Sequence, residues 1–68
     1  MKNRLPELRR EFGFTQQQLA DLAEVSRQTI IAIEAGKFNP SVTLAFKLSH
    51  IFERTIEDIF IYSGGGTR

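Results

Sequence analysis

Thr15, Ser26, Ser41 and Thr55 each stand shortly before apolar residues spaced three and four apart. A hydroxyl there can accept from a backbone N–H that the first helical turn leaves without a partner, so each marks a helix start. A chain punctuated this often can build only short helices. Gln18, three residues after Thr15, completes a capping-box pattern. Leu5, Leu8 and Phe12 predict a further helix at the front, with Pro6 in its first turn and Gly13 as its left-handed stop. The second helix offers Leu19, Leu22 and Ala23 as inward residues, and Glu24 with Val25 forms a turn. The third carries Ile30 and Ile33 and ends at Gly36; Phe38, Asn39 and Pro40 follow as a loop. The fourth runs through Phe52 with Val42, Leu44, Ala45, Phe46, Leu48, Ile51 and Phe52 as its apolar residues. The last is short, with Glu57 and Asp58 at its positive end and Ile56, Ile59 and Phe60 on its apolar face. Residues 29–33 are β-branched enough for a strand. They are bracketed by helix punctuation and have no partner strand, so the expectation is all-α: five helices and no strand.

Composition narrows the function. A chain of 68 residues is one domain, expected over 1–62, followed by a flexible glycine-rich tail at 63–68. With no cysteine there is no disulfide framework and no thiolate metal site. His50, the single histidine, has no carboxylate or thiol cluster at ligand spacing, and Glu57 and Asp58 diverge on their helix rather than share a proton. No catalytic residue, metal or cofactor is expected, and the protein reads as a non-enzyme. No apolar run is long enough to cross a membrane and no signal peptide opens the chain, so a cytoplasmic location is the expectation. Nine basic residues against eight acidic ones leave a net charge of +1. A nucleic-acid binder with so little excess must gather its positive charge on one face.

The segment that bears on function is 15–40, two capped helices joined by a short turn, the sequence form of a helix-turn-helix. Ala20 is small enough for two backbones to cross closely, Val25 plugs the turn, and Ile30 and Ile33 anchor the second helix. Residues 4–60 resemble the Cro and phage-repressor type of helix-turn-helix domain, the XRE family of transcriptional regulators. The matching residues include Leu8-Arg9, Gly13-Phe14-Thr15-Gln16, Leu19-Ala20, Val25-Ser26-Arg27-Gln28-Thr29-Ile30, Ile33-Glu34, Gly36-Lys37 and Asn39-Pro40-Ser41. The resemblance implies a compact five-helix, lambda-repressor-like bundle that binds double-stranded operator DNA as a homodimer.

On a helical wheel with Ile30 and Ile33 inward, Gln28, Ile31, Ala32 and Ala35 form the outward stripe. A recognition helix reads bases chiefly through its N-terminal residues, so the candidate base readers are Arg27, Gln28 and Thr29 there, with Ile31 and Ala32 from the stripe. Gln28 can pair with an adenine edge, or be merely solvated; Arg27 can reach guanine or a phosphate; Thr29 can meet either a base edge or a phosphate. Ile31 and Ala32 offer only apolar contact, suited to thymine methyls, so A·T-rich half-sites are expected. By resemblance Gln16 grips the DNA backbone, where a helix N-terminus already favours an anion. Lys37 and Asn39 face phosphate by the same resemblance, with Lys37 as a solvated charge the alternative. Arg9 and Glu34 correspond to the family's structural ion pair.

Four positions depart from the family pattern. Glu24 and Glu53 stand where it often has glycine, Arg54 where an apolar residue is usual, and Ile31 where the residue is usually small or polar. Ile31 can read thymine methyls or touch a protein partner. Ile59, Phe60, Ile61 and Tyr62 are too many large side chains for one small core. Ile59, Ile61 and Tyr62 are therefore the candidate dimer interface, the alternative being that they close the monomer core. The expected function is that of a sequence-specific repressor on a pseudo-palindromic operator. Two alternatives use the same fold: an antitoxin or controller acting with a protein partner, and a protein-interaction module without strong DNA binding.

Overall fold

The computed structural model describes residues 2–61. The order is β1 (Lys2–Asn3), α1 (Leu5–Glu11), α2 (Gln16–Ala23), α3 (Arg27–Glu34), α4 (Val42–Phe52), α5 (Ile56–Ile59) and β2 (Phe60–Ile61). All four hydroxyl caps form. Thr15, Ser26, Ser41 and Thr55 accept from the backbone N–H of Gln18, Thr29, Leu44 and Asp58, and Gln18 returns the bond to Thr15. Each cap satisfies a donor the helix start would otherwise strand, a contribution of about 1 kcal/mol.

The helices enclose one core. Leu5, Leu19, Ala20, Ala23, Ile30, Leu48, Phe52 and Ile59 are fully buried, and Ile33 nearly so. Phe52 is the largest of these side chains. The Phe12 ring meets it edge-on at 5.1 Å, and Phe14 lies at 6.0 Å. Ala20 and Ala23 have no side chain beyond Cβ, so α3 can cross close over α2.

The structure corrects several expectations. A two-stranded antiparallel sheet does form, pairing Lys2 with Ile61 and Asn3 with Phe60. Strands of two residues carry no alternation to recognise; the pairing arises because the ends of α1 and α5 dock together, with Arg4 N–H donating to Ile59 C=O at 2.7 Å. Phe60 consequently leaves the helix in an extended conformation (φ −111°, ψ 130°), its ring buried. Leu22 is 51% exposed, because Leu19, Ala20 and Ala23 already fill the inward stripe of α2. Val42 and Phe46 also face outward, at 72% and 54% exposed. Ile59, expected at an interface, is instead fully buried in the core of its own chain. Tyr62 and the tail at 63–68 lie outside the described residues.

Glu24 and Glu53 do take the left-handed conformation, at φ 61° and 53°. Each costs on the order of 1 kcal/mol relative to glycine. At Glu24 the turn gains a cross-link, since the Lys47 ammonium donates to its carboxylate at 2.8 Å. Arg54, where the family usually has an apolar residue, lays its guanidinium 6.0 Å from the centre of the Phe12 ring.

Candidate nucleic-acid interface

The site is built from the turn outward. After α2 the chain reverses at Glu24; Val25 N–H donates back to Ala20 C=O at 3.0 Å, and Val25 packs partly buried against the core. The reversal delivers Ser26 as the cap of α3 and leaves Arg27 and Gln28 exposed in its first turn. Among the described residues neither side chain has a hydrogen-bond or ionic partner, so both are available to a ligand. Thr29 is half-buried and its hydroxyl lies 3.0 Å from that of Ser26, a contact it must share with any base or phosphate. Ile31 is 38% exposed and Ala35 exposed, while Ala32 is half-buried. Behind them Ile30 and Ile33 are anchored in the core.

The far end of α3 is held by charge. Arg9 Nε donates to Glu34 Oε2 at 2.6 Å, and the two side chains are only 14% and 8% exposed. Arg9 Nη1 also donates to Phe14 C=O at 3.0 Å, and Gln16 Nε2 donates to Glu34 Oε1 at 3.2 Å. A carboxylate near a helix C-terminus is unfavourable against the dipole; here a guanidinium neutralises it and an amide donates a further hydrogen bond. The cluster ties α1, the start of α2 and the end of α3 into one unit. It also places Gln16 beside α3 with one amide N–H still uncommitted.

Beyond α3, Gly36 takes φ 77° and Lys37 N–H closes the helix onto Ala32 C=O at 3.0 Å. The turn leaves Lys37, Phe38 and Asn39 exposed. Lys37, like Arg27, has no acidic partner among the described residues. Arg9 and Lys47, by contrast, are neutralised by Glu34 and Glu24, and Arg4 lies 3.6 Å from Glu7. Pairing of Arg4, Arg9 and Lys47 leaves Arg27 and Lys37, at the two ends of α3, among the described basic residues without an acidic partner. Glu24, exposed, is held below the ordinary glutamate value by the hydrogen bond and the charge of Lys47.

One functional candidate escapes sequence reasoning. Asn3 Nδ2 donates to the C=O of Ile33 at 2.8 Å while its Oδ1 accepts from Leu5 N–H at 3.0 Å. An asparagine just before a helix signals a cap, but nothing local points thirty residues on to α3. Elsewhere, a groove lined by Pro40, Val42, Ala45, Phe46, Ile56 and Phe60 runs between α4 and α5 and is almost wholly apolar. Among the described residues there is no cluster of histidine and carboxylate suited to a metal, and no helix long and apolar enough to cross a membrane.

The Helix-turn-helix family profile matches residues 7–59. A Methanocaldococcus jannaschii protein described as an uncharacterized HTH-type transcriptional regulator is 56% identical over 62 residues, 91% of this chain and 94% of that one. One of the same description from Methanothermobacter thermautotrophicus is 44% identical over 69 residues and spans both chains completely. The crystal structure of the restriction-modification controller protein C.AhdI from Aeromonas hydrophila superposes with a TM-score of 0.76 at 32% identity, covering 84% of this chain and 86% of that one.

Proposed function

This chain belongs to the helix-turn-helix family of XRE-type transcriptional regulators, and from that premise we propose that it is a cytoplasmic repressor binding a pseudo-palindromic DNA operator as a homodimer. The observation that carries the reading is the pair Arg27 and Gln28, exposed and unpartnered in the first turn of a capped helix whose other face is anchored in the core. An α-helix fits the major groove and reads bases chiefly from its N-terminal turns. Gln28 takes an adenine, Arg27 a guanine or the flanking phosphate, and Ile31 with Ala32 the thymine methyls. Thr29 supports the same turn through Ser26. Gln16, Lys37 and Asn39 clamp the backbone on either side.

A palindromic operator needs a two-fold partner, with recognition helices about 34 Å apart. The apolar surface available for it is Val42 and Phe46 on α4 with the adjoining groove, and Ile61 on β2, which is 43% exposed. Ile31, left exposed on the DNA side, also keeps open a controller-type role with a second protein.

The test is selection from a random pool of duplex DNA, followed by affinity measurement across a salt series. The expected result is an enriched palindrome whose affinity falls steeply as salt rises, and a Lys37→Gln variant whose salt slope is shallower by about one. A folded protein with neither enrichment nor salt-dependent binding would overturn the reading and leave the protein-interaction alternative.

A further inference from the structure

The N-terminal strand does more than cover an edge. Asn3 is half-buried and uses both ends of its amide at once. Its oxygen takes Leu5 N–H at the start of α1, and its nitrogen donates to Ile33 C=O in the last turn of α3. That carbonyl also accepts Gly36 N–H at 2.9 Å, the bond that closes the helix into the Lys37 turn. The backbone of Asn3 is fixed in turn by register with Phe60, and that of Arg4 by Ile59 C=O. Three parts of the chain that are remote in sequence therefore meet at one residue: the N-terminal strand with the head of α1, the tail of α3 and the C-terminal strand. The Arg9–Glu34 pair holds the same end of α3 through a side chain; Asn3 holds it through the backbone.

We propose that Asn3 is a positioning residue for DNA readout, fixing the tail of the recognition helix and the Lys37 turn against the two-stranded sheet. The inference rests on the DNA-binding reading above. Phosphate contact tolerates a helix that rocks by a few degrees, whereas base-edge hydrogen bonds do not. Loosening the tail spreads α3 over orientations of which only a fraction match the base edges, and apparent affinity falls by that fraction. Specific binding should therefore suffer and non-specific binding should not.

Asn3→Asp separates the two roles of the side chain. It keeps an oxygen for Leu5 N–H and, as a carboxylate, loses the N–H that Ile33 C=O accepts. Asn3→Ser is the second variant, short enough to cap yet unable to span to α3. Both are measured against the selected operator and a scrambled duplex, together with amide hydrogen exchange at Gly36 and Lys37. The expected result is faster exchange at those two amides and about tenfold weaker operator binding, the scrambled duplex being bound by the uncharged Asn3→Ser as by the wild type, so that the comparison of duplexes is read on that variant. Equal losses on both duplexes, or unchanged operator affinity despite faster exchange, would overturn the role in readout. Unchanged exchange in both variants would overturn the tether itself. If the wild type binds no duplex, the DNA-binding reading fails instead, and the exchange data alone decide whether Asn3 holds α3.

Discussion

α3 and α4 each turn a partly apolar face to solvent, and the two faces differ in what accompanies the apolar groups. On α3 the exposed Ile31 and Ala35 follow Arg27 and Gln28, and Lys37 stands beyond the last turn. On α4 the exposed Val42 and Phe46 border a groove with Pro40, Ala45, Ile56 and Phe60, and no charge lines it. The supports differ as well. The end of α3 is braced by a nearly buried ion pair and by Asn3 on its backbone, whereas α4 is fixed chiefly by Leu44, Leu48 and Phe52 in the core, its ion pair, Lys47 with Glu24, lying exposed. A face that must match base edges needs orientation, which hydrogen bonds and ion pairs supply. A face that buries greasy surface needs only area and an uncharged lining. In the proposed function α3 meets the DNA and α4 a protein partner.

The hardest blow to this contrast falls on the brace of α3. Glu34→Ala strands the Arg9 guanidinium in a nearly buried place, and a loss of about 3 kcal/mol or more is expected in thermal or urea unfolding, with operator binding lost alongside. A variant that melts like the wild type would mean that the pair does not hold α3. Phe46→Ser is next, aimed at the other face. It should shift a dimer to monomer by about 2 kcal/mol or more in sedimentation, while circular dichroism stays helical. Survival of the dimer would move the interface to Ile61, where Ile61→Ser repeats the measurement.

Gln28→Ala addresses readout alone. It should cost about 1–3 kcal/mol on the preferred operator and relax preference at one position in each half-site, leaving the fold untouched. An unchanged selection profile removes Gln28 from the base contacts. The smallest effect concerns the Glu24–Lys47 link between the helix-turn-helix and α4. Glu24 has its folded value pulled below the ordinary 4.5, so its contribution is complete above that pH and is lost as pH falls through the lower folded value. The difference in melting temperature between the wild type and Lys47→Met should therefore be greatest near neutrality and shrink in acid. A difference independent of pH would mean that the link acts through packing instead.

How much of this was legible depended on the range of the interaction. The four hydroxyl caps and the helices they start were readable from sequence because donor and acceptor lie within four residues. The left-handed corners divide instructively. Gly13 and Gly36 announce theirs, at φ 78° and 77°, while Glu24 and Glu53 occupy the same conformation without a residue that suits it. Only the family resemblance pointed to those two. Leu22, Val42 and Phe46 were not assignable from composition. α4 in particular carries apolar residues on more than one side, so its period does not say which face the core takes. Ile59 and Ile61 were grouped together in sequence, yet Ile59 fills the core while Ile61 faces solvent.

From the sequence alone come five short helices, their starts, the helix-turn-helix at 15–40 and Arg27 and Gln28 as candidates in the first turn of its second helix. Each is encoded by hydrogen bonds and side-chain periods that close within a turn or two of chain. Tertiary structure alone decided the strand pair, the burial of Ile59, the apolar face of α4 and the reach of Asn3 to Ile33. Each of those depends on a partner brought from far along the chain, and no local pattern can specify a contact whose other half is placed by the packing of the whole core.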